Sequence, residues 1–270
     1  MTDRRLTPAN ARVAAAHLRG TVEAEAFVEG HAAVVARPLV DLRRAPDGAR
    51  DRQLLRGAAV TVYEDRDGTS FVQAANGYVG YVESAALVEG PAPDHRVATP
   101  ATHAYAEPDM KSPDLCHLSF GARVKVLDER ETFFETDAGF IPKRHLRPLD
   151  RPFEDPVTVA QMHFGVPYLW GGNSVLGIDC SGLVSAALGA VGLDCPGDSD
   201  LQMALGQATN EPPRRGDLMF WKGHVGLMVE EAVMIHANAH HMAVAYEPLA
   251  QAIARIEAQG GGGVTAHRRL

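Results

Sequence analysis

Aromatic residues, cysteines and long apolar runs are all scarce in this sequence of 270 residues. Only 6% of the residues are aromatic, and the three cysteines are an odd set without the spacing of a disulfide framework. No apolar stretch approaches the length that crosses a bilayer, and the first residues carry positive charge with no apolar segment behind them. We therefore expect a cytoplasmic protein with reduced thiols, with a Cys180–Cys195 disulfide as the alternative.

Basic residues are also fewer than acidic ones: 34 acidic and 26 basic residues give a formal net charge of −8. A net negative charge disfavours binding to nucleic acid or to an anionic membrane, both of which are negatively charged themselves. Apolar residues nevertheless make up 46% of the chain, which is enough for a sizeable core, and the length allows two or three domains. The oligomeric state is left open.

An internal repeat occupies the first half of the chain. The segment 57–64 is matched by 121–128, and Gly80-Tyr81-Val82 is matched by Gly139-Phe140-Ile141. Both units alternate apolar and polar residues over short stretches, which is typical of strands. Because a solenoid needs at least three units, the repeat predicts two small all-β domains.

A glycine-rich loop followed by a cysteine is the most informative segment. Residues 171–178 are typical of a loop, Asp179 is a candidate helix N-cap, and the pattern from Cys180 to Leu188 predicts an amphipathic helix. A thiol in the first turn faces unpaired N–H groups and the positive end of the helix dipole, which lower a cysteine pKa. We therefore predict that Cys180 is a nucleophile with a lowered pKa, against the alternative of a buried structural cysteine.

Two histidines further along the chain supply a candidate base and a partner for it. His224 and His236 lie 12 positions apart, on segments predicted to be adjacent strands. Their side chains share a face only if the connecting loop has an odd number of residues. A three-residue loop at 229–231 would place them directly opposite each other, whereas a two-residue loop at 230–231 would point them to opposite faces. In the odd register His224 is a candidate base and His236 a candidate orienting residue. With Cys180 as nucleophile, they make up the set of groups that acyl-transfer enzymes use.

Together these segments resemble the NlpC-type cysteine peptidases, which are papain-like enzymes that cut peptides of the bacterial cell wall. The resemblance extends from near residue 155 to near residue 246 and rests on Tyr168-Leu169-Trp170-Gly171-Gly172, Asp179-Cys180-Ser181-Gly182, Gly216-Asp217-Leu218, His224-Val225-Gly226 and Ile235-His236-Ala237. It implies that Cys180 is the nucleophile, that His224 is the general base and acid, and that His236 orients His224. The repeat resembles bacterial SH3-like domains, a common companion of this family.

The same resemblance implies roles for residues beside the nucleophile. Tyr168 assists at the oxyanion site, and Asp179 and Ser181 hold the terminal amine and backbone of the substrate. The alternative role for Asp179 is that of a plain helix N-cap. We also expect a wall of the first SH3-like domain to close the pocket behind the amine. The candidates for this wall are Tyr78, Tyr81 and Glu64.

The predicted fold class is α+β, with a papain-like catalytic domain preceded by two small all-β SH3-like barrels. A helix is expected to begin at Thr7-Pro8, Ser199 is expected to cap a helix through Ala208, and residues 264–270 are expected to form a short tail. The predicted domains are 1–30 (N-terminal helix and connector), 31–90 (first SH3-like barrel), 95–149 (second SH3-like barrel) and 153–270 (papain-like cysteine peptidase).

The resemblance implies a peptidase that hydrolyses small muropeptides in peptidoglycan recycling, at the γ-D-glutamyl–diamino acid bond after a free N-terminal L-Ala. We expect a muropeptide as the partner and neither a cofactor nor a metal. A zinc site at His236, His240 and His241, with Cys180 or His224, is an alternative, although the spacing fits no zinc signature. Two further alternatives are a non-catalytic peptide-binding protein and an acyltransferase or amidase of the same fold.

Overall fold

The computed structural model describes residues 3–270, and the chain divides into two compact units, Met1–Asp150 and Arg151–Leu270. Across the described residues, the first unit is built of strands and single 3₁₀ turns, whereas the α-helices lie in the second unit. The expectation of a fold that mixes α and β structure is confirmed at this level. Among residues 3–270, none of the helices combines the length and the apolar character that a bilayer crossing needs.

The first unit contains seventeen strands among its described residues. They are β1 Val13–Ala15, β2 Ala26–Val28, β3 His31–Val35, β4 Leu39–Arg43, β5 Arg50–Leu55, β6 Ala59–Arg66, β7 Thr69–Ala74, β8 Val79–Glu83, β9 Leu87–Val88, β10 His95–Val97, β11 Ala101–Tyr105, β12 Asp114–Ser119, β13 Arg123–Val124, β14 Val126–Glu129, β15 Phe133–Thr136, β16 Gly139–Pro142 and β17 Leu146–Pro148. The 3₁₀ turns are Ala16–Leu18, Ser84–Ala86 and Lys143–His145.

Strands β3 to β9 form one antiparallel sheet in the order β5-β4-β8-β7-β6-β3-β9. Side chains alternate between its two faces, so Val60, Val62 and Val72 form part of a buried apolar row. Asp67 and Gly68 make the two-residue turn between β6 and β7, and both have a positive φ, 51° and 80°. A turn of this kind matches the right-handed twist of the strands that it joins.

The internal repeat corresponds to a repeated three-stranded meander. In the first copy β6, β7 and β8 are neighbours, and in the second copy β14, β15 and β16 are neighbours. Gly80-Tyr81-Val82 lies in β8, and Gly139-Phe140-Ile141 lies in β16, so the matched segments occupy equivalent strands. Strands β10 to β17 form a five-stranded and a three-stranded sheet around a core that includes Val97, Leu118 and Ile141.

The helix expected to begin at Thr7-Pro8 is wrong. Residues 13–15 form strand β1, which pairs in parallel with β2, and a single 3₁₀ turn follows β1. Asn10 explains the difference, because its Oδ1 accepts the N–H groups of Arg12 and Val13, both at 2.9 Å. Such a side-chain turn competes with the backbone bonds of a helix.

The second unit has helices first and a sheet after them. Its elements are α1 Pro156–Gln161, β18 Asn173–Ser174, β19 Gly177–Ile178, α2 Cys180–Ala190, α3 Ser199–Gln202, β20 Gln207–Ala208, β21 Leu218–Trp221, β22 His224–Glu230, β23 Val233–Asn238, β24 Ala243–Pro248, α4 Leu249–Ala258 and β25 Ala266–Arg269. The sheet order is β20-β25-β21-β22-β23-β24, and α4 covers a cluster of Met219, Trp221, Met228 and Met234. Helix α2 contacts β22 and β23.

Two local expectations for the second unit are wrong. Ser199 is the first residue of α3 rather than its cap, and α3 ends at Gln202 because the chain then turns into β20 at Gly206, where φ is 57°. The expected tail is strand β25, which pairs with β21 and β20. Its position leaves β21 paired on both sides and so removes an exposed sheet edge there.

Buried Asp217 fastens strand β25 to the start of β21. Its carboxylate accepts a bond at 2.7 Å from His267 Nε2, and Arg269 donates to both of its oxygens at 2.7 and 3.0 Å. Asp217 is 2% exposed, so these partners replace the water that the buried carboxylate has lost. The Gly216-Asp217-Leu218 motif therefore has a structural role at this position.

Candidate active site

The loop before α2 is packed tightly against the start of that helix. Asp179 is the N-cap residue, and its Oδ1 accepts the N–H of Gly182 at 2.6 Å while its Oδ2 accepts the N–H of Gly171 at 2.9 Å. A Cβ on Gly182 would lie 2.5 Å from the carbonyl oxygen of Gly172, so the close approach requires a glycine. These contacts position Cys180 as the first residue of α2.

The thiol of Cys180 lies at the centre of the candidate site. Its side chain is buried, and the backbone N–H groups of Val225, Ser181 and Cys180 itself lie near the sulfur and favour its thiolate form. Because Val225 directly follows His224, this contact brings the start of β22 to the start of α2. Cys180 and Cys195 are both free thiols, so the alternative of a disulfide between them is wrong.

The expected lowering of the Cys180 pKa is wrong. Burial is the largest cause and the charge of Asp179 is the next, and together they raise the pKa of the thiol to about 12 against the opposing N–H groups. A buried thiolate loses its hydration, and the partial charges at a helix N-terminus do not compensate for this loss here. Cys180 is therefore a neutral thiol at neutral pH, and a base must take its proton as it attacks.

His224 and His236 are in direct contact, with His224 Nε2 2.8 Å from His236 Nδ1. The expected three-residue loop, with the histidines directly opposite each other, is wrong. Strands β22 and β23 are joined by a two-residue loop, and a bulge at Val229 supplies the extra residue that sets the odd register. Leu227 pairs with Ile235, so the residue opposite His236 is a glycine.

That glycine, Gly226, leaves room for a diagonal contact between the two rings. A Cβ at this position would lie 2.7 Å from Met234 Sδ and 3.6 Å from the Cβ of His236. Diagonal neighbours on one face of an antiparallel pair are within reach of aromatic side chains. The predicted sharing of a face by His224 and His236 is therefore correct, although the register that produces it differs from the expected one.

Both histidines are neutral in the free site. Burial lowers the pKa of His224 to about 4, and burial with the neighbouring His224 lowers the pKa of His236 to about 3. A neutral imidazole has one N–H and one acceptor nitrogen, so the 2.8 Å contact needs a donor from one ring and a lone pair from the other. His224 Nδ1 is then the nitrogen of that ring that is free to act on the thiol.

Tyr168 lies beside the nucleophile and is half-buried. Burial, followed by the charges of Cys180 and Asp179, raises the pKa of its hydroxyl to about 12. The hydroxyl therefore keeps its proton through the neutral range and can donate a hydrogen bond. Its position is set by a backbone bond to Met242 at 2.9 Å and by pairing with Ile178.

Asp179 and Ser181 are both occupied by contacts within the protein. Ser181 is 4% exposed, and its Oγ donates to Asp179 Oδ1 at 3.1 Å. The Asp179 carboxylate thus accepts from Ser181, Gly182 and Gly171 at once, which supports the N-cap role. Substrate binding by Asp179 and Ser181 stays a prediction.

The three candidates from the first SH3-like domain have partners within their own unit. Tyr78 is 1% exposed, with the Arg52 guanidinium 5.2 Å from its ring centre. Glu64 accepts two bonds from Arg12, at 2.6 and 2.7 Å. Tyr81 is half-buried, and its hydroxyl accepts a bond from Asn10 at 3.1 Å. Contact of Tyr78, Tyr81 and Glu64 with a substrate stays a prediction.

Sequence reasoning missed a buried ion pair behind the histidines. Glu247 Oε2 lies 2.9 Å from His236 Nε2, and Arg255 donates to both carboxylate oxygens of Glu247 at 2.7 and 2.9 Å. Glu247 is on β24 and Arg255 is on α4, with a strand-to-helix junction between them. Because the strand ends and the helix begins between the two residues, neither strand nor helix periodicity relates their positions, and no local signal links them.

Among residues 3–270, His236, His241 and Glu247 form a group whose possible metal-ligating atoms lie within 4.8 Å of one another. This group differs from the zinc alternative, because His240 is not a member. Arg255 occupies both oxygens of Glu247, and its positive charge opposes a cation at the same place. These residues therefore do not fit a metal site, and the predicted absence of a metal stays a prediction.

Several known proteins are similar to parts of this chain. Residues 165–257 match the NlpC/P60 family model, and residues 42–87 match the model of the bacterial dipeptidyl-peptidase SH3 domain. Dipeptidyl-peptidase 6 of Lysinibacillus sphaericus is 37% identical over 87 residues, which cover 32% of each chain. The gamma-D-glutamyl-L-lysine dipeptidyl-peptidase of Bacillus cereus is 29% identical over 174 residues, which cover 57% of this chain and 52% of that protein. The chain thus spans about a third to a half of the length of these relatives.

The crystal structure of an NlpC/P60 family protein from Bacillus cereus shares the fold. It superposes with a TM-score of 0.74 and covers 88% of this chain and 99% of that chain. Its sequence identity of 21% supports a common fold and no more. Together with the family models, this likeness confirms the resemblance seen in the sequence. The chain contains an NlpC/P60 domain, and a bacterial dipeptidyl-peptidase SH3 domain precedes it.

Proposed function

We propose that this protein is a cysteine peptidase of bacterial cell-wall peptides, with Cys180 as nucleophile and His224 as base. The observation that carries the proposal is the meeting of two elements: the start of β22 packs against α2 so that the N–H of Val225 lies near the Cys180 sulfur, and the preceding residue, His224, contacts His236 at 2.8 Å. This arrangement supports the combination of nucleophile, base and orienting residue that covalent catalysis of acyl transfer requires.

The protonation states define the first step of the proposed reaction. As the Cys180 sulfur attacks the peptide carbonyl, His224 takes the thiol proton and becomes an imidazolium. The carbonyl oxygen becomes an oxyanion that the N–H of Cys180 and the hydroxyl of Tyr168 are placed to stabilise. Each such donor contributes about 3 kcal/mol to the stability of the transition state.

The second half of the reaction returns the protons. His224 donates its proton to the leaving amine as the C–N bond breaks, which leaves an acyl-enzyme on Cys180. Water then attacks the thioester carbonyl while His224 accepts a proton from it, and the carboxylic product leaves with the thiol restored. His236 accepts the N–H of His224 throughout and so holds the imidazole in place.

The proposed substrate is a small muropeptide, cut at the γ-D-glutamyl–diamino acid bond after a free N-terminal L-Ala. The Bacillus cereus relative named gamma-D-glutamyl-L-lysine dipeptidyl-peptidase supports this bond. We further propose two SH3-like barrels before a papain-like domain, and a role in peptidoglycan recycling in the cytoplasm. An enzyme in that compartment must spare intact wall precursors, whose L-Ala amine is amide-linked to the sugar, so it should require the free amine.

Mass spectrometry of products from defined muropeptides tests this function. The purified protein is incubated with a free-amine tripeptide that contains the γ-D-glutamyl bond and with the same tripeptide joined to its sugar. We expect a dipeptide and a free diamino acid from the first and no cleavage of the second. Cleavage at a different bond, or none with either peptide, would overturn the proposal.

His236 is expected to act by orienting the base. His224→Ala removes the base and should lower kcat/KM by about 10²- to 10⁴-fold. His236→Ala should cost less, because it removes only the positioning of His224. His236→Asn and His236→Gln should recover part of the loss, since an amide oxygen can accept the N–H of His224. Steady-state kinetics of the four variants provide the measurement, and wild-type activity in His236→Ala would contradict the role.

The acid limb of the pH profile of kcat/KM should lie well below the ordinary pKa of a histidine. Because burial lowers the pKa of His224 to about 4, the base is neutral and able to accept a proton above that pH. Activity is then lost only as pH falls through about 4, where His224 becomes protonated. The measurement is kcat/KM between pH 3.5 and 8. An acid limb at the unperturbed histidine value of about 6.5 would contradict a buried, neutral base.

A further inference from the structure

The buried ion pair behind the histidines extends the line of contacts away from the thiol. The line crosses three neighbouring strands and ends on a helix, with His224 on β22, His236 on β23, Glu247 on β24 and Arg255 on α4. Its contacts are 2.8 Å between the histidines, 2.9 Å from His236 Nε2 to Glu247 Oε2, and 2.7 and 2.9 Å from Arg255 to Glu247.

Register explains how Glu247 reaches His236. Ala245 pairs directly with His236, and Met234 pairs directly with Glu247, so Glu247 lies on the same face as His236 and one diagonal away. His236 is fully buried, and Glu247 is 6% exposed. Water therefore has little access to the contact, and the charge on the carboxylate acts at close range.

The carboxylate restricts which nitrogen of His236 carries the proton. A neutral imidazole has one N–H, on either Nδ1 or Nε2. If Nε2 had the lone pair, the negative end of the ring dipole would lie 2.9 Å from an anionic oxygen in a buried site, and the two would repel each other. The N–H is therefore on Nε2. Its direction makes no hydrogen bond with the carboxylate, so the two interact through charge at close range. Nδ1 is left with the lone pair.

The tautomer of His236 then determines the tautomer of His224. Since His236 Nδ1 has only a lone pair, His224 Nε2 must be the donor in their 2.8 Å contact. His224 Nδ1 is then free of a proton and can accept one from the thiol. With the opposite tautomer of His236, His224 Nε2 would accept, and Nδ1 would carry the N–H and could not act as the base.

Arg255 keeps the carboxylate charged and in place. Its two hydrogen bonds are the largest cause that lowers the pKa of Glu247, so the group is anionic at neutral pH. The bidentate contact also fixes the rotation of the carboxylate. The other ionisable group near this pair is His241, whose ring centre lies 6.3 Å from that of His236 on the exposed side.

We propose that Glu247 is a positioning residue that selects the His236 tautomer and, through it, the nitrogen with which His224 accepts the thiol proton. The expected fall in kcat rests on the proposed function. The expected tautomer of His236 does not, because the tautomer can be observed without a substrate. The competing explanation is that Glu247 and Arg255 only fasten α4 to β24. The two explanations differ in what happens when each partner is changed separately.

The experiment compares Glu247→Gln, Arg255→Met and the double variant Glu247→Met/Arg255→Met in the full chain. Glu247→Gln and the double variant remove the negative charge beside His236, and the double variant leaves no unpaired arginine behind. A charge close to a buried group biases its protonation equilibrium by about tenfold or more, so we expect kcat to fall at least tenfold in both, with KM changed less than threefold. Arg255→Met keeps the carboxylate and should lose less kcat, although it breaks the same link between β24 and α4.

The second readout is the ¹⁵N NMR spectrum of protein labelled at histidine, with the His236 signals assigned by comparison with His236→Asn. We expect His236 to be protonated at Nε2 in the wild type and to gain a fraction protonated at Nδ1 in Glu247→Gln and in the double variant. Glu257→Gln, on an exposed position of α4, is the matched control for the loss of one glutamate charge.

The proposal is overturned if His236 keeps the Nε2–H tautomer in both charge-removing variants, or if Arg255→Met loses as much kcat as Glu247→Gln. The NMR measurement needs no substrate. If no muropeptide is cleaved by the wild type, the proposed function fails, whereas the tautomer spectra still decide the proposal on Glu247.

Discussion

Replacing Cys180 by alanine is expected to abolish peptide cleavage while leaving the protein folded. The thiol sulfur forms the covalent bond in the proposed reaction, and removing the nucleophile of a peptidase costs a factor on the order of 10⁶ in kcat. The side chain is small, and α2 keeps its N-cap at Asp179, so the free energy of unfolding should change by about 1 kcal/mol. Steady-state kinetics and a denaturant titration measure the two effects.

The other two cysteines are the controls for this prediction. Cys116→Ala and Cys195→Ala remove free thiols that the proposed reaction does not use, and both variants should keep most of the activity. Modification by iodoacetamide should inactivate the wild type, and chelators should not. Substantial turnover by Cys180→Ala would contradict the mechanism.

Asp179→Asn is expected to lower kcat/KM for a free-amine tripeptide by roughly 30-fold or more. If the Asp179 carboxylate pairs with the substrate ammonium, the change leaves a desolvated charge without its partner, a loss of about 2–5 kcal/mol. In the wild type, acetylation of the substrate amine should abolish cleavage because it removes the positive charge. Kinetics with the matched free and acetylated peptides provide the measurement. Equal cleavage of both by the wild type would refute the requirement for a free amine.

The structural role of Asp179 needs a separate control, because its carboxylate already accepts bonds from Gly171, Ser181 and Gly182. Asparagine is also a good N-cap, so the bond to Gly182 can persist, whereas an amide N–H₂ turned toward Gly171 cannot accept. A peptide with a hydroxyl in place of the amine separates the effects. If Asp179 binds the ammonium, the variant discriminates less between amine and hydroxyl peptides. If Asp179 is only a cap, activity on both falls equally.

Deletion of the first SH3-like domain tests whether that domain contributes to the requirement for a free substrate amine. The expected result is either an unfolded protein or one that discriminates less between free and acetylated amines. Tyr81→Phe is the milder variant, because it removes one hydroxyl that accepts a bond from Asn10 and leaves the ring in place. Unchanged discrimination in a folded deletion variant would exclude a contribution of Tyr78, Tyr81 and Glu64 to the pocket.

Local signals in the sequence were sufficient wherever one residue acts on its near neighbours. Asp179 caps α2 as predicted, because a carboxylate reaches the N–H three residues ahead whatever the rest of the chain does. The adjacent strands β22 and β23, which hold His224 and His236, were likewise predicted from the pattern of the local sequence. The prediction of an N-terminal helix was wrong because of another local contact. The side chain of Asn10 accepts backbone N–H groups and so stabilises a turn in place of the helix.

The sequence by itself determined that an SH3 domain precedes the NlpC/P60 domain, that Cys180 lies at a helix start and that the two histidines lie on neighbouring strands. Tertiary structure alone decided how these groups act. The bulge at Val229 sets the contact between the histidines, and burial makes the Cys180 thiol neutral in spite of its place on the helix. Glu247 meets His236 and Arg255 only after three segments have packed together. Register and desolvation depend on everything that surrounds a group, so no short stretch of sequence contains them.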